Sequence, residues 1–331
     1  MTLFSDMTAV EQIASLSDCV AEILAAYNLG KTEFESINHE YNSTFKVTAA
    51  DDERFALRIN INSPRTLANL NAEVFWVNAI TNVKTPKPVA NSSGNFVSQA
   101  WHEASGRKLN AVLYTWLDGE ELGDEPSVEQ LRAAGAVMAK LHETSKHLEL
   151  PAHANLPDLS DFFWSGNDLL LSDGSELDAK DRELIAALKT QVDEIITEMA
   201  TASQPQLIHA DVHPWNLMWH EGEIAVFDFD DSGIGLPIQD LATALYYLDT
   251  DEQEEAFIAG YTSVRELPVH TAKQMRLLKH QRRVLLLNYL YESINPEHRE
   301  MIGAYQEKTM RLLTAELVGS GSDETQEQHL T

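Results

Sequence analysis

Within the segment Leu207 to Asp230, LIHADVHPWNLMWHEGEIAVFDFD, stand a carboxylate at Asp211, an amide five residues on at Asn216 and a second carboxylate twelve residues later at Asp228. That order suits phosphoryl transfer. Asp211 can serve as a base or orient an acceptor hydroxyl, while Asn216 and Asp228 offer hard oxygen donors to magnesium on nucleotide phosphates. Apolar runs bracket the motif and Glu221-Gly222 is a turn signal, so the spacing predicts a loop followed by a short hairpin. Asp211 and Asn216 would lie on the loop, and Asp228 at the end of the second strand. Two ordinary core strands with charged ends are the plainer reading, but such a pair rarely carries HxDxxxxN and then an apolar strand ending in Asp.

On these residues the chain resembles the aminoglycoside phosphotransferase superfamily, which includes choline kinases, homoserine kinases and a bacterial stress-response Ser/Thr kinase branch. HADVHPWN stands where that superfamily shows HGDxHxxN, and VFDFDDSGIGLPIQDLA resembles its metal-binding segment followed by P-x-x-D-L-A. The resemblance implies Asp211 as catalytic base, Asn216 and Asp228 as magnesium ligands, His209 as a support of the catalytic loop and Asp240 as a brace for that loop's backbone. Ala210 replaces a commoner Gly, a change of one methyl group. Asp230 stands where protein kinases have the Gly of DFG, in agreement with the small-molecule branch. His213 reads as a packing or hydrogen-bonding residue rather than a ligand.

Such an enzyme needs an upstream lobe for ATP. STFKVTA and RFALRIN are two β-rich runs joined by the turn-like AADDE. Alternation puts Ala56 and Arg58 on one face of the second run, the A-x-K geometry of a kinase third strand with Arg in place of Lys. Arginine keeps the positive charge and adds a fork for phosphate oxygens. Taken alone, Arg58 would be an exposed residue on a half-buried strand. Leu67, Leu70, Val74 and Val77 recur at helical spacing with Glu73 among them, and by resemblance Glu73 is the helix glutamate that positions the cation. Asn42, Ser43 and Thr44 could form a turn of successive amides that cradles phosphate, although HEYNSTF has no glycine and an ordinary hairpin turn fits equally. AVLYTWLDGEEL resembles the strand leading into the interlobe hinge, with the backbone from Tyr114 to Leu117 offered to adenine. Side-chain identity carries little information there.

The expected fold class is therefore α+β, a two-lobed protein-kinase-like fold with a small antiparallel N-lobe (1–117), a larger and mainly helical C-lobe (118–318) and a disordered polar tail (319–331). With 331 residues, 44% of them hydrophobic, the chain can bury a sizeable core. One cysteine, Cys19, permits no internal disulfide and suits a reducing cytosol. No targeting segment or apolar run of membrane-spanning length is visible, so a cytoplasmic protein is expected. The net charge of −28, from 52 acidic against 24 basic residues, disfavours nucleic acid and anionic membranes as partners.

SVEQLRAAGAVMAKLHETSKHL, LDAKDRELIAALKTQVDEIITEM and the stretches near 238–261 and 270–294 read as helical. Lys273, Arg276, Lys279, Arg282 and Arg283 stud the last of these. A solvated face is the plain reading; a site for an acidic acceptor is the other. The acidic LDGEELGDEPSVE could attract a cationic acceptor or be simply solvated.

The expected activity is transfer of the ATP γ-phosphoryl group, with Mg2+, to a small-molecule hydroxyl of the amino alcohol, homoserine-like or aminoglycoside and sugar classes. Two alternatives stand beside it, a Ser/Thr protein kinase and a nucleotide-binding pseudokinase module. The last is suggested by Arg58 and the glycine-free turn, and opposed by the retention of Asp211, Asn216 and Asp228 together.

Overall fold

The computed structural model describes residues 4–293 and 295–319. In chain order come α1 (Ala9–Ser15), α2 (Ser17–Leu24), β1 (Glu33–His39), β2 (Asn42–Thr48), β3 (Arg54–Asn60), α3 (Leu67–Ala79), β4 (Val97–His102), β5 (Arg107–Thr115) and β6 (Glu120–Glu121). They are followed by α4 (Val128–Ser145), α5 (Ala179–Ala202), β7 (Gln206–Ile208), β8 (Leu217–His220), β9 (Glu223–Val226), β10 (Gly233–Gly235), α6 (Pro237–Tyr246), α7 (Asp251–Thr262), α8 (Ala272–Glu292) and α9 (Pro296–Gly319). The architecture is α+β. Among the described residues no helix is long and apolar enough to cross a membrane.

The chain divides into two compact units, and the division is not a single cut. Of the described residues, those within 4–125, 147–156 and 215–230 make the first, while those within 126–146, 157–214 and 231–319 make the second. The first unit holds a five-stranded antiparallel sheet of order β1-β2-β3-β5-β4. Alternation along β3 sorts its side chains between two layers. Phe55, Leu57 and Ile59 join Phe45, Val47, Leu113, the α1–α2 junction residue Leu16 and Val20 and Ile23 of α2 on one face, whereas Ala56 packs with Val112, Tyr114 and Val74 of α3 on the other. Segment 215–230 belongs here because β8 pairs with both β6 and β9, and Val226 N–H donates to Lys84 C=O at 3.0 Å. The turn between β8 and β9 is Glu221-Gly222, both with positive φ, 51° and 85°, which matches the twist of a two-residue hairpin.

The second unit is mainly helical. Ser127 with Gln130, Thr250 with Gln253 and Thr271 with Gln274 form capping boxes that start α4, α7 and α8. The Thr250 box divides the stretch near 238–261 into two helices. The helix α9 extends the helical part beyond the stretches that apolar periodicity marks. Of the polar tail expected at 319–331, only Gly319 lies inside the described residues; there it ends α9.

Candidate active site

Each unit carries a cluster of charged side chains, and each is built by a different local device. In the first unit, strand alternation places Arg58 on the face of β3 that looks onto α3, where it is 9% exposed. One of its Nη2 hydrogens goes to Glu73 Oε2. Glu73, on the second turn of α3 and 4% exposed, also accepts a 2.6 Å bond from the Tyr114 hydroxyl. The Arg58 guanidinium lies 5.6 Å from the Tyr114 ring centroid. Two further carboxylates approach it, Asp228 at 3.8 Å and Asp230 at 3.9 Å. Burial works against the charge on Arg58, yet Glu73, Tyr114, Asp230 and Asp228 together hold its pKa well above the ordinary value. Three carboxylates around one guanidinium leave an excess of negative charge, a suitable setting for a cation. The exposed-strand reading of Arg58 fails, because α3 covers that face of the sheet.

The hairpin register brings two predicted metal ligands to one end of β8 and β9. Leu217 pairs with Val226, and Phe227 N–H donates to Asn216 C=O at 3.2 Å, so Asn216 lies opposite Phe227, and Asp228 follows Phe227 at the same end of the hairpin. Asp228 has φ of 57°, a left-handed conformation that Asp tolerates better than most residues, and its side chain is 48% exposed. Asp230, which the motif did not mark as a site residue, is tied to Ser63 Oγ at 3.2 Å. Among the described residues no group of three or more His, Cys, Asp or Glu is arranged to hold a metal. An amide and a carboxylate suit a magnesium ion that takes its remaining ligands from phosphates and water.

The expected phosphate turn is corrected by the strand register. Asn42, Ser43 and Thr44 begin β2 and pair with Asn60, Ile59 and Arg58 of β3; the turn itself is Glu40-Tyr41. The Ser43 side chain is buried and within 2.6 Å of His39 Nδ1, whose Nε2 meets Gln12 at 2.9 Å. Thr44 is the cross-strand neighbour of Arg58. At the other end, Thr115 N–H donates to Lys87 C=O and Trp116 N–H to Arg54 C=O, and Leu117 follows as a half-buried residue. Side-chain identity does matter in this strand, since the Tyr114 hydroxyl holds Glu73.

In the second unit, β7 ends in a turn built on the Asp240 carboxylate. That carboxylate accepts the N–H groups of His209 and Ala210 at 3.2 and 2.8 Å and lies 2.9 Å from His142 Nε2. His142 Nδ1 is 2.9 Å from the Tyr261 hydroxyl. Asp240 is fully buried, and burial alone would raise its pKa; the bond and charge of His142, then His209 and the Ala210 amide, outweigh this and hold it below the ordinary carboxylate value. Ala210 has φ of 65°. The Gly-to-Ala departure is therefore not only one of size, because a left-handed Ala costs roughly 1–2 kcal/mol. Asp240 holds this strained residue in place.

The turn presents Asp211, whose N–H donates to His209 Nδ1 at 3.3 Å. Arg282 Nη2 donates to Asp211 Oδ1 and to the Tyr247 hydroxyl at 2.8 Å. His213 Nε2 is 3.3 Å from Asp211 Oδ2, and its ring stands 4.8 Å from that of Tyr247. Burial opposes ionisation of Asp211, but Arg282 first and then His213 and His209 bring its pKa down to about 2. The solvated-face reading of α8 fails at Arg282, which is 7% exposed. Its position was legible in part, since Met275, Leu278 and Arg282 share one face at i, i+3 and i+7. Arg276 is exposed and pairs with Glu316, and Lys279 pairs with Glu254.

The sequence profile of the phosphotransferase enzyme family matches residues 33–272. Amicoumacin kinase of Bacillus subtilis (strain 168) is 23% identical over 322 residues, which span 90% of this chain and 93% of that protein. Among solved structures, the microcompartment-associated aminopropanol kinase superposes with a TM-score of 0.73 at 22% identity, covering 94% of this chain and 98% of the other. Amicoumacin kinase hAmiN, in complex with AMP-PNP, Ca2+ and Ami, gives 0.72 at 18% identity over 92% and 96% of the two chains. Choline kinase from Cryptosporidium parvum Iowa II gives 0.65 at 15% over 92% and 97%. At these identities the structural likeness establishes the fold as protein-kinase-like.

Proposed function

The chain belongs to the phosphotransferase enzyme family, and from this premise we propose that it moves the γ-phosphoryl group of Mg-ATP to the hydroxyl of a small molecule held at Asp211. Membership makes it a kinase. The observation that supports the residue assignment is the hairpin register, which brings Asn216 and Asp228 to the same end of the hairpin, with Asp228 3.8 Å from the Arg58 guanidinium. Asn216 and Asp228 would hold the magnesium ion, which when bound offsets charge on the phosphates. Arg58, aimed by Glu73 and Tyr114, would grip phosphate oxygens, and the backbone at Leu117 is the candidate for adenine.

Asp211 has the form this chemistry asks for, an ionised carboxylate fixed on a braced turn. It accepts the hydrogen bond of the acceptor hydroxyl and directs a lone pair at the γ-phosphorus. The new O–P bond forms as the bond to the bridging oxygen breaks, ADP leaves, and the hydroxyl proton passes toward Asp211. Most of the catalysis in such a reaction is positioning and electrostatics. The acceptor class we assign is amino alcohol, homoserine-like or aminoglycoside and sugar; the relatives named for aminopropanol, choline and amicoumacin support it. The ATP requirement, with a single free cysteine, supports a cytoplasmic site of action.

The test is ADP release from Mg-ATP across a panel of amino alcohols, homoserine, aminoglycosides, sugars and a generic protein substrate. Acceptor-dependent release is expected from a small molecule. Asp228→Ala should abolish it, and Asp211→Ala should cut turnover by at least a hundredfold while nucleotide still binds. Normal turnover in either variant rules the assignment out, and release stimulated by protein alone would favour a Ser/Thr kinase.

A further inference from the structure

We propose that Arg282 is a positioning residue for the transfer reaction, fixing the Asp211 carboxylate in one orientation through a single Nη2 group shared with Tyr247. This rests on the reading of Asp211 as the group that takes the acceptor hydroxyl. The residue comes from α8, 71 positions from Asp211 in the sequence, and two further elements hold its guanidinium. Tyr247, just past the end of α6, accepts its 2.8 Å bond and presents a ring 5.5 Å from its centre. Trp164 presents a second ring at 5.9 Å. The loop carrying Trp164 is itself under constraint, with positive φ at Trp164 and Ser165, 54° and 60°. It is kept there by the Asp161 carboxylate, which accepts Phe163 N–H at 2.8 Å and Ser165 N–H at 2.6 Å. Gln281, the neighbour of Arg282, donates to Phe162 C=O at 2.9 Å and so locks α8 to this loop.

A buried ion pair is poor evidence of a stability device, since desolvation offsets much of its attraction. This one is less suited still to that purpose, because Arg282 Nε is buried without a hydrogen-bond partner among the described residues. A pair selected for stability would meet both donors on that edge of the fork. What the arrangement does achieve is aim. Strained backbone maintained by side-chain bonds tends to collect at functional sites. Here it supports one face of a guanidinium whose other contact is the carboxylate that must meet the acceptor.

The charged and titratable groups facing Asp211 include Arg282 from α8, His213 and His209 from its own loop, and Tyr247 from the end of α6, with Asp231 acting on Arg282. Arg282 makes the largest favourable contribution to keeping Asp211 ionised against burial. Removing it should therefore free the carboxylate to rotate and raise its pKa, while leaving the nucleotide-binding residues of the other unit untouched.

The experiment compares kcat, the KM for Mg-ATP and the pH profile of kcat in wild type, Arg282→Gln and Arg282→Lys, with the acceptor that supports ADP release. Arg282→Gln should lose at least tenfold in kcat with the nucleotide KM within twofold of wild type, and any displacement of the acid limb of its profile should be to higher pH. Titration of the nucleotide is common to both proteins, so the difference between profiles is what is read. Arg282→Lys should recover part of the loss and keep the acid limb near wild type. A kcat within twofold of wild type overturns the proposal, as does a loss shared equally by nucleotide affinity with the limb unmoved. Should Arg282→Gln fail to fold, Tyr247→Phe keeps both charges and removes only the aiming bond. A fall in kcat of about threefold supports the role of Arg282, and an unchanged kcat overturns it. Asp211→Asn separates the two readings. If it keeps full turnover, the base assignment falls and takes this proposal with it; if it is inactive while Arg282→Gln is normal, only the proposal falls.

Discussion

The Tyr114 hydroxyl donates to one oxygen of Glu73 at 2.6 Å while Arg58 takes the other. A tyrosine of the β5 strand thus shares with α3 the task of orienting the cation on β3. A hydrogen bond to a buried carboxylate contributes about 1.5–3 kcal/mol. Tyr114→Phe leaves the ring under Arg58 and removes only that bond. The expected result is a loss of about 2 kcal/mol in urea unfolding and a several-fold higher KM for Mg-ATP. An unaltered KM would mean that Arg58 alone fixes Glu73.

Arg58→Lys tests whether the fork matters or only the charge. The guanidinium reaches Glu73 through Nη2 and approaches Asp228 and Asp230 through Nη1 and Nη2, and a lysine ammonium cannot meet three carboxylates around a planar group in this way. We expect kcat/KM for Mg-ATP to fall by about tenfold, roughly 1.4 kcal/mol of transition-state stabilisation. Wild-type kinetics in this variant would show that a point charge suffices.

How much of this was legible followed from distance along the chain. Asp211, Asn216 and Asp228 lie in one short segment whose alternating strands and turn residues define a hairpin, and Arg58 and Glu73 each sit in a clear strand or helix period. Arg282 meets Asp211 across 71 residues and His142 meets Asp240 across 98, and no local pattern marks such partners. Arg282 was visible only as one basic residue among five on α8. Its place on the apolar face was in the spacing, but the charge run obscured it. The positive φ of Ala210 was invisible because a residue type states what conformations are cheap, not which one the tertiary bonds to Asp240 enforce.

Asp240 should also leave a signature in stability against pH. Its folded pKa lies below the ordinary 3.8, so its contribution is fully present above that value and is lost as pH falls through the lower, folded value. Asp240→Asn removes a buried charge from two amides and an imidazole, at a cost of about 3 kcal/mol at pH 7. The gap between wild type and variant, measured by urea unfolding, should hold from pH 7 to about pH 4.5 and narrow below 3.8. A gap that widens on acidification would contradict the sign of the shift.

The reach of Tyr261 to His142, and through it to Asp240, depends on two glycines. A Cβ added at Gly260 of α7 would lie 1.8 Å from the Arg132 carbonyl oxygen of α4, and one at Gly135 would lie 1.9 Å from that of Phe257. Helix backbones this close cannot absorb a methyl group by moving a side chain, so α4 and α7 would have to separate. Gly260→Ala should then cost about 3 kcal/mol, the upper end for overpacking. It should also lower kcat further than the lost stability explains, because parting the helices draws Tyr261 from the chain that braces the Asp211 turn. Gly303 on α9 is the control, with nothing within 4 Å of its added Cβ. Alanine there should stabilise by about 0.8–1 kcal/mol through helix propensity and leave kcat alone. Thermal unfolding and ADP-release kinetics on the two variants read both effects, and equal behaviour of the pair would show that the close approach of α4 and α7 has no part in holding the site.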